Sequence, residues 1–356
     1  MMFRPLLARI DISALQHNLQ QVRRFAPNQK ILAVIKANAY GHGTLAAAQA
    51  WPDADGFGML SLEEAIMLRQ AGIRQPIVLL EGVFAPEALP LCAEHGITVV
   101  IHQAQQIEWL GRAWLPRKID VWVKMNSGMN RLGLPAGEFQ EAVEKLAKLP
   151  AINHLALMSH FATADEVDGV AMQLADFMVA TAGMPYPRSL ANSAAIVGHP
   201  DTHAEWGRPG IMLYGASPVS GLPPKHWDLR PVMTLESRII AEQRLAPGDA
   251  IGYGATFHAD YPMRIGVVAC GYADGYPRHA PTGTPVGVGG HRTRLLGRVS
   301  MDMITVDLTG LPDCGIGSMV ELWGKQIGVD EVAAAAGTLG YELLSGMTAR
   351  VPYSYL

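Results

Sequence analysis

Residues 31–43 read ILAVIKANAYGHG. Five apolar residues, Ile31 to Ile35, run without alternation and then deliver a lysine, Lys36. Such an unbroken run is the pattern of a strand covered on both faces, as in parallel sheets. A lysine at its end either snorkels to water along its alkyl stem or sits in a site built to use it, because an unpaired buried charge is costly. Beyond Lys36 the chain turns small and polar and closes on Gly41-His42-Gly43, where His42 reads as a turn residue.

The same pattern repeats outward from this segment. Apolar runs follow at Gly56–Leu60, Ile77–Leu80, Thr98–Ile101, Ile119–Met125, His154–Ser159 and Ser189–Ala191, with an eighth expected between His203 and Leu213. Helical signals fill the intervals. Ser61-Leu62-Glu63-Glu64 is a capping-box pattern stopped by Gly72, and Pro135 opens a segment whose Phe139, Val143, Leu146 and Leu149 share one face. Strand and helix alternating about eight times predict an α/β fold, a (β/α)8 barrel. A doubly wound open sheet is the alternative, but no GxGxxG follows an early strand.

After Gly221-Leu222-Pro223-Pro224 the strand-like segments crowd together: Met233–Ala241, Ile265–Ala269, Thr284–Val288, Thr293–Val299, Ile304–Leu308 and Met319–Leu322. Turns at Pro247-Gly248-Asp249 and Gly289-Gly290 separate them, and one helix is expected over Asp330–Leu344. The expected division is a barrel over residues 1–228 and a β-rich domain over 229–356, with the piece Met2–Ile10 joining the second domain's sheet.

At 356 residues the chain is longer than one core usually supports. Its 49% hydrophobic and 17% charged residues and net charge of −4 offer no basic field for nucleic acid or anionic membrane. The one dense basic cluster, His291-Arg292-Thr293-Arg294 with Arg298, reads as hairpin surface charge. No stretch has the roughly 18 apolar residues of a membrane span, and Met1–Pro5 lacks the pattern of a signal peptide. Three widely spaced cysteines, Cys92, Cys270 and Cys314, fit reduced thiols better than a disulfide framework or a zinc site, and Cys270 reads as a small buried hydrophobe. The expectation is a cytoplasmic protein without a metal.

Active sites of such barrels lie at the C-terminal ends of the strands. There the sequence places Lys36 with Tyr40, Ser61, Glu81, His102, Lys124 with Arg131, His160, Asn192-Ser193, and Arg208-Gly210. The loops after the seventh and eighth strands, ANSAA (191–195) and GRPGI (207–211), fall where this fold commonly seats a phosphate. The N–H groups of Gly210 and Ile211 with the Ser193 hydroxyl suit that task; two ordinary turns are the plainer reading. A strand-end lysine opposite a phosphate seat suggests pyridoxal 5′-phosphate held as a Schiff base. For that the amine must be partly neutral, which burial beside cations promotes.

With these residues assembled, the chain closely resembles the bacterial alanine racemases, specifically the type associated with alanine catabolism. The likeness runs nearly end to end through AVIKANAYGHG (33–43), KMNSGMNRLG (124–133), LMSHFA (157–162), NSAA (192–195), WGRPGIMLYGASP (206–218), GYGATF (252–257), GYADGYPRHAPTGTPV (271–286) and GRVSMDM (297–303). It implies a barrel plus a β domain in a head-to-tail homodimer that interconverts L- and D-alanine, in catabolism or as a source of D-alanine for peptidoglycan. It further implies that Lys36 carries the cofactor and acts as one base, and that Tyr253 is the second, reaching the site from the partner subunit. Tyr40, Ser193, Gly210 and Ile211 match the phosphate contacts, with Asn192 beside them. Arg208 matches the arginine at the pyridine nitrogen, and His160 stands behind Tyr253 and Arg208. Arg131 and the Met301 backbone match the substrate-carboxylate site, and Tyr272 and Asp302 its entrance. Lys124 stands where some members carry a carbamylated lysine; an unmodified ammonium is the alternative. Some members place a tyrosine before RVP, where this chain has Ala349 before Arg350-Val351-Pro352, and Tyr353 and Tyr355 are out of register to replace it.

Three rivals are weighed against this. A cofactor carrier would lack the second domain and Tyr253. A decarboxylase on the same plan generally uses a catalytic cysteine and a carboxylate at the pyridine nitrogen, against which Arg208 argues. A serine or broad-specificity racemase differs less, since an apolar pocket rejects one hydroxyl only weakly.

Overall fold

The computed structural model describes residues 4–166 and 169–356. After an opening strand β1 (Leu7–Ile10), eight parallel strands close into a barrel: β2 (Lys30–Val34), β3 (Gly56–Met59), β4 (Ile77–Leu79), β5 (Ile97–Ile101), β6 (Ile119–Lys124), β7 (Ile152–Met158), β8 (Arg188–Asn192) and β9 (Trp206–Arg208). Pairing of β2 with β9, Lys30 opposite Trp206, completes the ring. Each strand falls within a residue or two of its expected place, the eighth included. Residues 31–34, 56–59, 77–79 and 97–101 are buried throughout, which is why these strands read as runs: one set of side chains fills the barrel and the other packs under helices.

The helices form where their signals lie. Ser61 accepts from the Glu64 N–H at 3.1 Å and caps helix Leu62–Gln70. The helix opened by Pro135 covers Ala136–Ala147 and buries Phe139, Val143 and Leu146, while Leu149 falls just beyond it, half-buried.

The remaining strands are β10 (Met233–Leu245), β11 (Ala250–Ile251), β12 (Phe257–His258), β13 (Met263–Val268), β14 (Pro285–Val288), β15 (His291–Leu296), β16 (Ile304–Asp307), β17 (Met319–Trp323) and β18 (Tyr353–Tyr355). All but the β11–β12 hairpin join one sheet in the order β13-β16-β15-β14-β17-β10-β1-β18, and long β10 bends to pair with β13 as well. β1 lies antiparallel to β10 and parallel to β18, so Leu7–Ile10 joins the second sheet. The first residues of that expected piece, Met2 and Phe3, lie outside the described residues. His291–Arg294 of the basic cluster sit on β15 and Arg298 just beyond it, with Arg292 paired to Glu331 and Arg294 to Asp307.

One element differs from expectation. The helix over Asp330–Leu344 is two, Val329–Ala336 and Gly340–Ser345. Gly337 takes φ +70 and ends the first in a left-handed cap, so this glycine is a stop. The second helix packs on the segment just after Lys36, bringing the C-terminal part of the chain to the barrel mouth.

Candidate functional site

A cavity of about 550 Å³ opens at the C-terminal ends of the barrel strands. Lys36, Tyr40, Lys124, Arg131, His160, Asn192, Ser193, Arg208, Gly210 and Ile211 all line it, together with Glu81. Two rim residues are used otherwise: Ser61 caps its helix, and His102 bonds the Glu81 carbonyl at 3.0 Å.

Lys36 lies two residues past the end of β2 and enters an unusual turn. Ala37, Asn38, Ala39 and Tyr40 all have φ between +51 and +53, a left-handed helical turn without glycine. Such a conformation costs about 1–2 kcal/mol per residue and persists only when its surroundings hold it. Here the Thr44 N–H donates to the Asn38 side chain at 3.0 Å, and the Gly43 N–H to the Asn38 carbonyl at 2.9 Å. His42 lies beneath, fully buried and stacked on Tyr214 with centroids 4.7 Å apart. Its Nδ1–H donates to the carbonyls of Tyr40 (2.8 Å) and Ala39 (3.0 Å), leaving Nε2 unpaired. Burial holds this imidazole neutral, with a pKa pushed down to about 4. His42 is thus a turn residue, as read from the sequence, but a buried one that braces the turn.

The turn aims Tyr40 at the loops that carry Ser193 and Gly210. The Gly210 N–H donates to Ser193 Oγ at 2.8 Å, and a Cβ on Gly210 would lie 2.5 Å from Tyr40 Oη, so only glycine leaves this cradle open. Ile211 starts a short 3-10 turn, and its N–H has no partner within that turn. Asn192 faces the cavity while its side chain accepts from the Ala195 N–H at 3.0 Å, capping the helix that carries Ser193.

Cations dominate the charge. Burial lowers the Lys36 pKa, Arg131 lowers it further, and Glu81 opposes them. Lys124 is pushed down to about 8 by burial and then by Arg208, Arg131 and Lys36. Arg208 is buried; it donates to Ser189 Oγ (2.7 Å) and to the carbonyls of Ser159 (2.6 Å) and Leu190 (3.2 Å), and no carboxylate pairs with it among the described residues. His160 Nδ1 lies 3.4 Å from this guanidinium, and burial with the surrounding cations drives its pKa down to about 3. A neutral His160 orients its neighbours; positive charge at this point comes from Arg208.

The donor set suits pyridoxal phosphate. An anion cradle that a Cβ would fill lies in the same cavity as a lysine with a depressed pKa, and a buried arginine free of any carboxylate stands between the strands.

Four expected site residues are elsewhere. Tyr253, Tyr272, Met301 and Asp302 line no part of this cavity and lie on loops of the β-rich half, where Tyr253 is 71% and Met301 51% exposed. One wall residue was not anticipated. Tyr341, at the start of helix Gly340–Ser345, lines the cavity with its ring 6.0 Å from Tyr40, and Glu342 and Ser345 follow it. Ala349 is not in the lining, and Tyr353 and Tyr355 stack on each other along β18. The aromatic wall beside Tyr40 is thus supplied by Tyr341, eight residues before Ala349, within what the sequence reads as one helix. The three cysteines are free and buried, and no cluster of His, Cys, Asp or Glu suited to a metal occurs among the described residues. No helix among them is long and apolar enough to cross a membrane.

Comparison with known proteins agrees with this geometry. Residues 10–218 match the family profile of the alanine racemase N-terminal domain, and residues 232–355 that of the C-terminal domain. An alanine racemase of Nitrosospira multiformis is 52% identical over 98% of this chain and 99% of its own length. A protein of Klebsiella aerogenes described as "Alanine racemase, catabolic" is 50% identical over 99% of both. The crystal structure of a biosynthetic alanine racemase from Pseudomonas aeruginosa superposes with a TM-score of 0.97 at 47% identity, over 99% of this chain and 100% of that one.

Proposed function

The chain belongs to the alanine racemase family, and from that premise we propose that it interconverts L- and D-alanine by two bases at a site shared across a homodimer. It is a pyridoxal-phosphate-dependent isomerase of this family. The observation that carries the reading is the pairing, in one cavity, of the Lys36 amine with the Tyr40–Ser193–Gly210 cradle.

Tyr40, Ser193, Gly210 and Ile211 would hold the phosphate, and Arg208 the ring nitrogen. The cofactor, when bound, withdraws electrons from Cα of the attached amino acid and makes its C–H acidic. Lys36 exchanges the Cα proton on one face. One fixed side chain serves both faces poorly, so a second group is needed opposite it. We assign that task to Tyr253 of the partner subunit, because Tyr253 is exposed on a loop outside its own chain's cavity. Arg131 and the Met301 backbone of the partner subunit would hold the alanine carboxylate, with Tyr272 and Asp302 beside the entrance. Arg208, a donor that cannot accept a proton, would meet the ring nitrogen in its unprotonated form and so limit side products. A catabolic role follows the overall likeness, including the relative from Klebsiella aerogenes.

The test is to incubate the holoenzyme with L-alanine in D2O, separate the enantiomers and weigh them. Equal amounts of both hands, with deuterium at Cα, support the reading. Deuterium without inversion would leave one base working and remove Tyr253 from its role. No exchange despite bound cofactor would overturn the reading. For the catabolic role, a deletion strain should fail to grow on alanine as nitrogen source yet need no added D-alanine; the reverse outcome refutes it.

A further inference from the structure

Away from the cavity, one carboxylate ties together segments far apart in the chain. Asp274 is fully buried and accepts from two nitrogens of Arg4, at 2.6 and 2.7 Å. The Gly271 N–H donates to the same carboxylate at 2.9 Å, and Arg350 Nε approaches it to 3.3 Å. Arg4 also donates to the Asp302 carbonyl at 3.1 Å, while Arg350 donates to the Asp302 carboxylate at 2.6 Å. The N-terminal segment thus grips two loops, 271–275 and 300–303.

The loops are zipped to each other as well. The Tyr272 N–H donates to the Ser300 carbonyl and the Ala273 N–H to the Met301 carbonyl, each at 3.0 Å. A Cβ on Gly271 would lie 2.4 Å from both carbonyl oxygens, so the approach requires glycine. Yet the outer side of the pair is bare: Tyr272, Met301 and Met303 are exposed. Within this chain the loops are held from behind, by Arg4 and Arg350.

We propose that Arg4 is a positioning residue for the substrate: through Asp274 and the Asp302 carbonyl it sets the loop pair that presents the Met301 backbone to the alanine carboxylate in the partner subunit's cavity. The inference rests on the shared-site reading above and deepens it. A bidentate guanidinium on a buried carboxylate fixes orientation as well as distance, which a binding backbone group needs to within about 0.5 Å. Without Arg4, Asp274 keeps Arg350 and the Gly271 N–H, so loop 271–275 still has its anchor. The Asp302 carbonyl loses its donor, and segment 300–303 gains freedom. The carboxylate is the unreacting end of alanine, so loosening its support weakens ground state and transition state alike. KM rises and kcat stays.

The variants are Arg4→Ala and Arg4→Lys, with Arg9→Ala as a control in the same segment, where Arg9 pairs with Glu236 at 2.7 Å. Each holoenzyme is assayed for kcat and KM in both directions, for the Kd of propionate by calorimetry, for cofactor absorbance, and for mass by sedimentation. Propionate is alanine without its amine and reports carboxylate binding apart from turnover. For Arg4→Ala the expected result is a rise of roughly tenfold in KM and in propionate Kd, the effect of losing a charge-assisted contact. Its kcat should stay within about twofold, with dimer and cofactor intact. Arg4→Lys should recover part of the loss, since it keeps the charge but not the fork, and Arg9→Ala should match the parent. Unchanged KM and Kd in Arg4→Ala would overturn the proposal. So would a fall in kcat accompanied by loss of dimer or cofactor, which would make Arg4 a residue of the fold alone. An inactive parent overturns the shared-site reading and this proposal together; an active parent with an unaffected Arg4→Ala overturns this proposal only.

Discussion

Replacing Lys124 with methionine is expected to weaken alanine binding without unfolding the protein, because Lys124 is suited to act as a carbamate. The side chain is buried at the end of β6, and no hydrogen bond or ion pair reaches its Nζ among the described residues. Arg208, Arg131 and Lys36 crowd it with positive charge, and burial with these cations holds its pKa at about 8. At pH 7 a lysine titrating at about 8 is about 9% neutral, against about 0.03% for one at 10.5, roughly a 300-fold gain in nucleophilic amine. Attack of that amine on carbon dioxide would form an N–C bond and release a proton, replacing an ammonium among cations by an anion among cations. A carbamate there would hold Arg131 by charge-assisted hydrogen bonds. Such bonds contribute about 1.5–3 kcal/mol, so their loss in Lys124→Met corresponds to roughly 10- to 150-fold in KM. The fold should survive, since an apolar side chain of similar length replaces a buried charge. The sign with pH follows: as pH falls below about 8 the amine is protonated, the carbamate is lost, and KM rises. Carbon-13 NMR of the holoenzyme equilibrated with labelled bicarbonate is the assay, the carbamate carbon appearing in the parent and not in Lys124→Met. A parent without that carbon, together with a Lys124→Met KM within twofold of normal, would refute the reasoning.

Three more expectations follow from the same geometry. Gly210→Ala drives a methyl group to 2.5 Å from Tyr40 Oη and should cut cofactor affinity at least tenfold, read by equilibrium dialysis; retained affinity would mean the cradle is not there. Arg208→Glu places a carboxylate against the carbonyls of Ser159 and Leu190, and should abolish racemisation while adding a long-wavelength absorbance band with substrate; unchanged spectra and turnover count against the assignment. His42 has a pKa lowered to about 4 from 6.5, so the unfolded state binds the proton first as pH falls. Stability should drop by about 3 kcal/mol between about pH 6.5 and pH 4, and His42→Gln should flatten that part of a melting-temperature profile; an unaltered slope would place the titration elsewhere.

Much of the fold is legible in the chain because its signals are local. A parallel strand buried on both faces must be apolar at every position, so ILAVI and its counterparts announce themselves one after another. The residue ending each run then falls at the barrel mouth by the geometry of the fold, and Lys36, Lys124, Asn192 and Arg208 all line the cavity. What escaped the sequence depends on contacts between distant residues. Four positive φ angles over Ala37–Tyr40 are written in no residue preference, since alanine and tyrosine disfavour them; His42 and Thr44, with Tyr214 stacked on His42, hold them from outside the segment. Asp330–Leu344 reads as one helix, and only the φ of +70 at Gly337 shows that it breaks there. Tyr341 becomes a cavity wall because that break redirects the next helix onto the turn after Lys36. Arg4 and Asp274 are 270 positions apart, and no periodicity links them. The sequence by itself determined the strands, the barrel and the end of it that bears the site, since local burial demands local pattern. The tertiary structure alone decided which side chains brace that site and which loops face outward, since those depend on where separate parts of the chain meet.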